Sequence, residues 1–318
     1  MPQTRHRTTE RTARREEAIE TIVEEQPEGP AGPVEPKVSA ILVVHNQAAA
    51  LRRAVEALER SQDRERLEIL VIDCGSQDHS ARIDVEFEAV TVMRLPHHFG
   101  ATKAMNIAMR TAKGEFVFFL SPNVEVAPDT VKLLAERLDA DAEATAVCPL
   151  LVDADGRPVS KIQDLPTRAT LAAACRGAVV PNASVDLQRE VVDVEYPGID
   201  ALMVRKAFLK SMNYFDERFG HFWADADLAA RIFGTQKKFR LYPGIRATWH
   251  AAPDPDAGDY LFDVDRTLGA AAFLGKYDGF FAGLTFRIAA IFRALAGFRF
   301  REFTALLSGQ KLDGSQSM

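Results

Sequence analysis

Three apolar runs of this 318-residue chain end in side chains that can bind a ligand or carry a proton. His45-Asn46 follows "VSAILVV", Asp73 closes "LEILVID" ahead of "CGSQD", and Ser121 and Asn123 follow "EFVFFL". A fourth stretch, "HFWADADLAARI", carries Asp225 and Asp227. Amides and carboxylates so placed suit two tasks: accepting hydrogen bonds from a heterocycle or sugar, and taking the proton of an attacking hydroxyl. Taken singly, Asn and Asp after a strand are turn formers that bond their own backbone. Asp225 and Asp227 are two apart and diverge on a helix. Helix chemistry alone makes Asp225 an N-cap and Asp227 a first-turn acid favoured by the dipole. The functional alternative turns one of them into a cleft as a general base beside Trp223. The residue pattern leaves both open.

The elements that must position these groups alternate between strand and helix. "VSAILVV" reads as a strand, and "AAALRRAVEALERS" spaces Leu51, Val55 and Leu58 as one helix face. "LEILVID" and "AVTVMRL" are further strands, and "GATKAMNIAMRTAKG" is a helix stopped by Gly114. "EFVFFL" is a fourth strand, followed by a helix over about 128–139. Strands apolar nearly throughout are covered by helices on both faces, which predicts an α/β fold with a mainly parallel sheet. Such sheets bind ligands beyond the carboxyl ends of their strands, where all three polar ends would converge. Beyond "DADGRP", residues 160–192 lack periodicity and read as a long flexible loop. "VEYPGIDALMVRKAF" predicts a strand and a short helix, "DADLAARIFGTQ" a helix, and "KKFRLYPGIRATWH" two short strands.

Composition bounds the function. The formal net charge of −6 argues against a nucleic-acid binder, which carries a basic face. Cys74, Cys148 and Cys175 lie far apart with no ligand spacing, and predict reduced cytoplasmic thiols rather than a disulfide frame or zinc site. The first forty residues hold no apolar signal-peptide core, and no uncharged run of ~18 residues predicts a membrane span. Residues 1–36 cluster arginines, then glutamates and prolines, which predicts a disordered charged tail.

The motifs together carry a family resemblance. "VSAILVVHNQ", "LEILVIDCGSQDHS", "HHFGATKAMNIAMRTAKGEFVFFLSPN", "FDERFGHFWADADLAARI" and "FRLYPGIRATWH" occur in the order found in nucleotide-sugar glycosyltransferases of family 2. Residues 38–250 thus resemble that family and its GT-A fold, a Rossmann-like mixed sheet with helices on both faces. The likeness is greatest to the bacterial rhamnosyltransferase-like subgroup. The resemblance implies an inverting transfer from a nucleoside-diphosphate sugar to a glycan or lipid-linked acceptor in surface polysaccharide synthesis. It places Asn46 and Asp73 on nucleobase and ribose, with Asp73 accepting a uracil or thymine imide N–H. Ser76 and Asp78 complete that loop, and Asn106 lies near the donor. Ser121 and Asn123 fall on the segment that holds a divalent cation, Mg²⁺ or Mn²⁺, with His250 as a late ligand. Asp225 matches the catalytic base.

The chain departs from the pattern where metal chemistry would sit. Asn123 stands where the family presents Asp, Ala224 replaces the acid before the base, and His45 replaces a Tyr. An amide oxygen ligates hard cations without charge, so the expected cation is weakly held or dispensable. A degenerate module that binds nucleotide sugar or a partner without catalysis is the competing reading. A nucleotidyltransferase ranks last, because "VVHNQAAALRR" has no glycine-rich phosphate loop. The expected organisation is a GT-A domain over 37–255 and an amphipathic helical extension over 256–318. The Phe- and Leu-rich extension is interrupted by Arg287, Arg293, Arg299 and Arg301. It suits either a membrane surface, which would place the protein on the inner face of the cytoplasmic membrane, or packing on the domain.

Overall fold

The computed structural model describes residues 35–159, 161–252 and 258–312. The charged tail before residue 35 lies outside the described residues. Nine strands and ten α-helices are present among the described residues. The first half runs β1 (Val38–Val44), α1 (Ala48–Glu59), β2 (Leu67–Asp73), α2 (Ile83–Glu86), β3 (Val90–Arg94), α3 (Ala101–Thr111) and β4 (Phe116–Leu120). Then come β5 (Val124–Val126), α4 (Thr130–Ala140), β6 (Ala144–Val152), α5 (Arg168–Ala174), β7 (Val192–Val194) and β8 (Ala201–Arg205). The chain ends with α6 (Lys206–Ser211), α7 (Ala224–Gly234), β9 (Lys238–Trp249), α8 (Tyr260–Tyr277), α9 (Phe280–Ala296) and α10 (Phe300–Ser308).

The strands form one mixed sheet in the order β3-β2-β1-β4-β8-β6-β9-β5, with β7 on β9. β1 to β4 are mutually parallel, while β8 runs antiparallel to both β4 and β6. Alternation along each strand feeds two cores. Ile41, Leu70, Ile72 and Phe119 face α3, α7 and α8, while Leu42, Val71, Phe116 and Phe118 face α1 and α4. All five residues of β4 are buried, as a central strand covered on both faces requires.

Two local expectations change. "KKFRLYPGIRATWH" is one strand rather than two, because the register along β6 jumps from Pro149↔Tyr242 to Leu150↔Arg246. That irregularity absorbs Pro243 and Gly244 without ending the pairing. Within 160–192, the stretch read as loop contains α5, started by a capping box in which Thr167 and Thr170 satisfy each other's backbone N–H groups. The loop expectation missed it because a seven-residue helix is too short to show periodicity.

α8 packs into the larger core through Ala270, Phe273 and Leu274. It also supplies a cation and a hydroxyl to a buried carboxylate of α7. Asp227, 1% exposed, meets Lys276 at 2.6 Å, Arg231 at 2.7 Å and the Tyr277 hydroxyl at 2.7 Å. Removing one partner from such a buried network leaves uncompensated charge, so Asp227→Ala should destabilise the fold by about 3–5 kcal/mol. Chemical denaturation of wild type and variant checks this. A loss below about 1 kcal/mol, the scale of an exposed ion pair, would contradict it.

Candidate active site

The carboxyl ends of β1 and β4 open onto a cleft of about 870 Å³. Its walls include His45 and Gln47 after β1, Ser121 to Asn123 after β4, Tyr196 and Asp200 before β8, Trp223 to Asp225 at the start of α7, and Phe262 and Arg266 of α8.

Beside this cleft, the turns after β1 and β2 are fastened together by side chains. The Asn46 N–H donates to Ser76 Oγ at 2.9 Å, and Asn46 Oδ1 accepts from the Gln77 N–H at 2.8 Å. Asp78 accepts from the Ala48 and Ser80 N–H groups, both at 2.9 Å. Against the burial that would raise it, these bonds hold the Asp78 carboxyl below its ordinary range. Asn46 adopts φ +50°, a left-handed turn that Asn tolerates. Gly75 has φ +73°, and a Cβ there would lie 2.8 Å from His97 Cα. Asp73, 2% exposed, accepts the Ser76 N–H at 3.2 Å through one oxygen, while its Oδ1 is buried and has no partner. A buried acceptor of this kind costs free energy unless a ligand donor reaches it.

Across the cleft, Asp225 sits in the first turn of α7, but not as its cap. The N-cap is Trp223, left-handed at φ 73°, with no side-chain cap bond. The N-cap expectation fails because the helix begins two residues earlier, at Ala224. Asp225 Oδ2 accepts the Tyr196 hydroxyl at 2.7 Å, and Oδ1 accepts the Ala226 N–H at 2.9 Å. Burial raises the Asp225 carboxyl above its ordinary range, opposed by the Tyr196 and Ala226 hydrogen bonds, and the nearby Asp200 carboxylate adds to the rise. Burial and the Asp225 charge in turn raise the Tyr196 phenol, which therefore keeps its proton. Asp225 and Asp227 diverge as their spacing requires, one toward the cleft and the other toward α8.

The remaining predicted residues separate. Ser121 and Asn123 line the cleft, and Asn123 Oδ1 is buried without a partner. His250 turns instead to Glu125, its Nε2 lying 2.9 Å from Oε2, and only its backbone N–H reaches Asn123 O, at 2.8 Å. Asn106, 1% exposed, bonds Phe215 O, Glu217 Oε1 and the Phe215 N–H, which pins α3 to the 215–217 turn. For a divalent cation the loop after β4 offers an amide oxygen and a hydroxyl, and among the described residues no three His, Cys, Asp or Glu side chains converge on a common point. This neutral donor set does not make a site for a hard dication.

Several cleft residues escaped the sequence reading. Tyr196 and Asp200 precede β8, which runs antiparallel to β4, so its beginning meets the end of β4, and the Ser121 N–H donates to Asp200 O at 2.8 Å. Lys161 pairs with Asp200 at 2.7 Å and stands 4.3 Å over the Trp249 ring. His98 lies between His45 and His221, with ring centroids 5.1 and 5.3 Å away. Burial, reinforced by His98, Arg266 and His45, lowers His221 to about 3, so it stays neutral. The "YPGID" turn was the available signal for Tyr196 and Asp200; the distant Lys161 and Arg266 left none.

A mixed α/β sheet with polar turns grouped around one cleft is the architecture of GT-A-like proteins, and solved structures agree. GalNAc-T7, crystallised with UDP, GalNAc and Mn²⁺, superposes with a TM-score of 0.54 at 17% identity, covering 69% of this chain and 45% of that one. S. aureus TarS 1-349 in complex with UDP gives a TM-score of 0.51 at 20% identity, covering 75% of this chain and 65% of that one. Residues 39–186 match the model of the family described as "Glycosyl transferase family 2". Among curated relatives, the pre-mycofactocin glycosyltransferase of Mycobacterium tuberculosis is 26% identical over 226 residues, 68% of this chain and 43% of that protein. The succinoglycan biosynthesis protein ExoO of Rhizobium meliloti is 28% identical over 125 residues, 38% of this chain and 36% of that protein. The chain thus spans less than half the length of either relative.

If the unpartnered Asp73 oxygen receives a ligand N–H, Asp73→Ala should weaken nucleotide binding by about 1–3 kcal/mol. Calorimetry with uridine and thymidine diphosphates reads this directly. Unchanged affinity for the best binder would place the nucleotide elsewhere.

Proposed function

We propose that this protein is an inverting glycosyltransferase that moves a sugar from a nucleoside diphosphate to a hydroxyl of a glycan or lipid-linked acceptor in polysaccharide synthesis. Hexosyl and rhamnosyl donors both belong to the class proposed. The observation that carries the reading is Asp225: a carboxylate on the cleft wall, oriented by Tyr196 and raised by burial into a better range for accepting a proton. The family 2 match and the glycosyltransferase among its relatives support it.

In this mechanism the nucleobase lies against the loops after β1 and β2, with Asp73 Oδ1 accepting its imide N–H and Asn46, Ser76 and Asp78 holding the loop in shape. The acceptor hydroxyl lies at Asp225. As its oxygen attacks the anomeric carbon, Asp225 takes the proton, the bond to the diphosphate breaks, and configuration inverts in one displacement. No enzyme nucleophile is required. The diphosphate departs with growing negative charge, and in this cleft Lys161 and Arg266 are the cations placed to balance it. Ser121 and Asn123 offer it neutral hydrogen bonds. His221, held neutral, adds no charge.

A second reading has its own support in the neutral donor set at Ser121 and Asn123: a module that binds nucleotide sugar and does not transfer it. Asp225→Asn separates the two. It preserves size but cannot accept a proton, so turnover should fall by about 10²-fold or more while donor affinity persists. Donor affinity that depends on Asp73, with wild type inert toward every donor tried, would favour the binding module.

The cation prediction follows from the same loop. Nucleotide affinity of wild type should respond little to Mn²⁺, whereas Asn123→Asp supplies the charge that hard cations prefer and should make binding tighten as Mn²⁺ is added. Mn²⁺ titration at fixed nucleotide measures both. A strong Mn²⁺ response in wild type, or none in the variant, would contradict the assignment of this loop to the diphosphate.

A further inference from the structure

We infer that the face of α9 turned away from the domain, with the turn leading into α10, docks on an anionic lipid surface. α9 is apolar on two opposite sides. Gly283, Phe286, Ala290 and Ala294 are buried against the protein. Phe281, Leu284, Ile288, Phe292 and Leu295 recur at the same helical spacing on the other side and are exposed, Phe281 to 76% and Phe292 to 65%. Phe298, 79% exposed in a left-handed turn, and Phe300 continue the patch. Of thirteen exposed large hydrophobic residues among the described residues, ten fall between 277 and 307. So concentrated an apolar surface marks an interaction site rather than ordinary scatter.

Charge selects the occupant. The chain carries a formal net charge of −6, yet residues 280–308 hold four arginines against one glutamate. Arg299 pairs with Glu302 at 2.8 Å and Arg301 stacks 4.1 Å over Tyr260, so four arginines less one glutamate leave this segment a formal charge of +3. A second copy would set this basic patch against its like, whereas an anionic bilayer meets both its charge and its apolar face. No helix among the described residues is long and apolar enough to cross a membrane, so α9 would lie in the interface plane. The patch excludes the residues assigned to transfer, so the inference does not rest on the reading of the cleft.

Flotation of the full chain with vesicles tests it. Wild type should float with phosphatidylcholine vesicles containing phosphatidylglycerol and not with phosphatidylcholine alone. Phe281→Ser, Ile288→Ser and Phe292→Ser combined should lower partitioning roughly tenfold or more. Arg301→Gln should lower it about fivefold and flatten its salt dependence. Phe292→Ser alone gives the same sign with a smaller change, should the triple variant fail to retain the wild-type melting temperature. The inference is overturned by wild type that ignores anionic vesicles or floats equally with neutral ones, or by serine variants that bind unchanged. A wild-type dimer that the serine substitutions dissociate would also overturn it, by assigning the face to a second copy.

Discussion

The active-site wall depends on one buried carboxylate. Asp265 of α8, 1% exposed, accepts the His221 N–H at 2.6 Å and occupies the space where any side chain at Gly220 would lie. A Cβ at Gly220, whose φ is +63°, would come within 2.4 Å of Asp265 Oδ1. Only glycine therefore lets the chain turn there, and the turn delivers Trp223 in a left-handed conformation that a bulky residue adopts at a cost. Trp223 is held in return by its indole N–H, which donates to Arg266 O at 2.9 Å, and by Gly269, which leaves room for the ring. With Trp223 fixed, α7 starts at Ala224 and Asp225 faces the cleft. The C-terminal helix α8 is thus part of the site, supplying Phe262 and Arg266 to its wall.

The same constraint explains the electrostatics of the cleft. α8 packs over the 220–223 turn and half-buries Asp225 and His221 on the cleft wall, and burial is the leading cause of both displaced titrations. It moves them in opposite senses. The carboxyl rises toward neutrality and gains basicity, while the imidazole falls and stays uncharged. The loop after β4 carries no carboxylate, and the cations of the cleft wall, Lys161 and Arg266, come from the long segment after β6 and from α8. Both lie outside the sheet edge formed by the parallel strands.

That division sets how much was legible in the sequence. The alternation of strands and helices and the polar ends of β1, β2 and β4 are local patterns, so the first four strands and the helices that cover them could be read directly, while the grouping of the Asn46 and Asp73 loops came from the family resemblance. Asn123 was legible as a departure because its neighbours kept the family pattern. Tyr196, Asp200, Lys161 and Arg266 were not legible, since what brings them to the cleft is the reversal of β8 and the return of α8, both long-range. The roles suggested for Asn106 and His250 came from position alone; their side chains are engaged with Glu217 and Glu125. The helix start at Ala224 depended on the Gly220–Asp265 lock, which no local signal announces.

The claim on which the account turns is that the Tyr196 hydroxyl sets the basicity of Asp225. That bond stabilises the charged carboxylate, so removing it must raise the Asp225 titration further. A base works only when deprotonated, and the rate therefore climbs as pH passes upward through its titration. The direct measurement is the acidic limb of the pH–rate profile for wild type and Tyr196→Phe, with the nucleotide sugar that binds most tightly. The account predicts a limb displaced to higher pH in the variant, with the plateau at alkaline pH largely recovered. An acidic limb at the same pH in both proteins would contradict it and return Asp225 to the role of a first-turn helix acid.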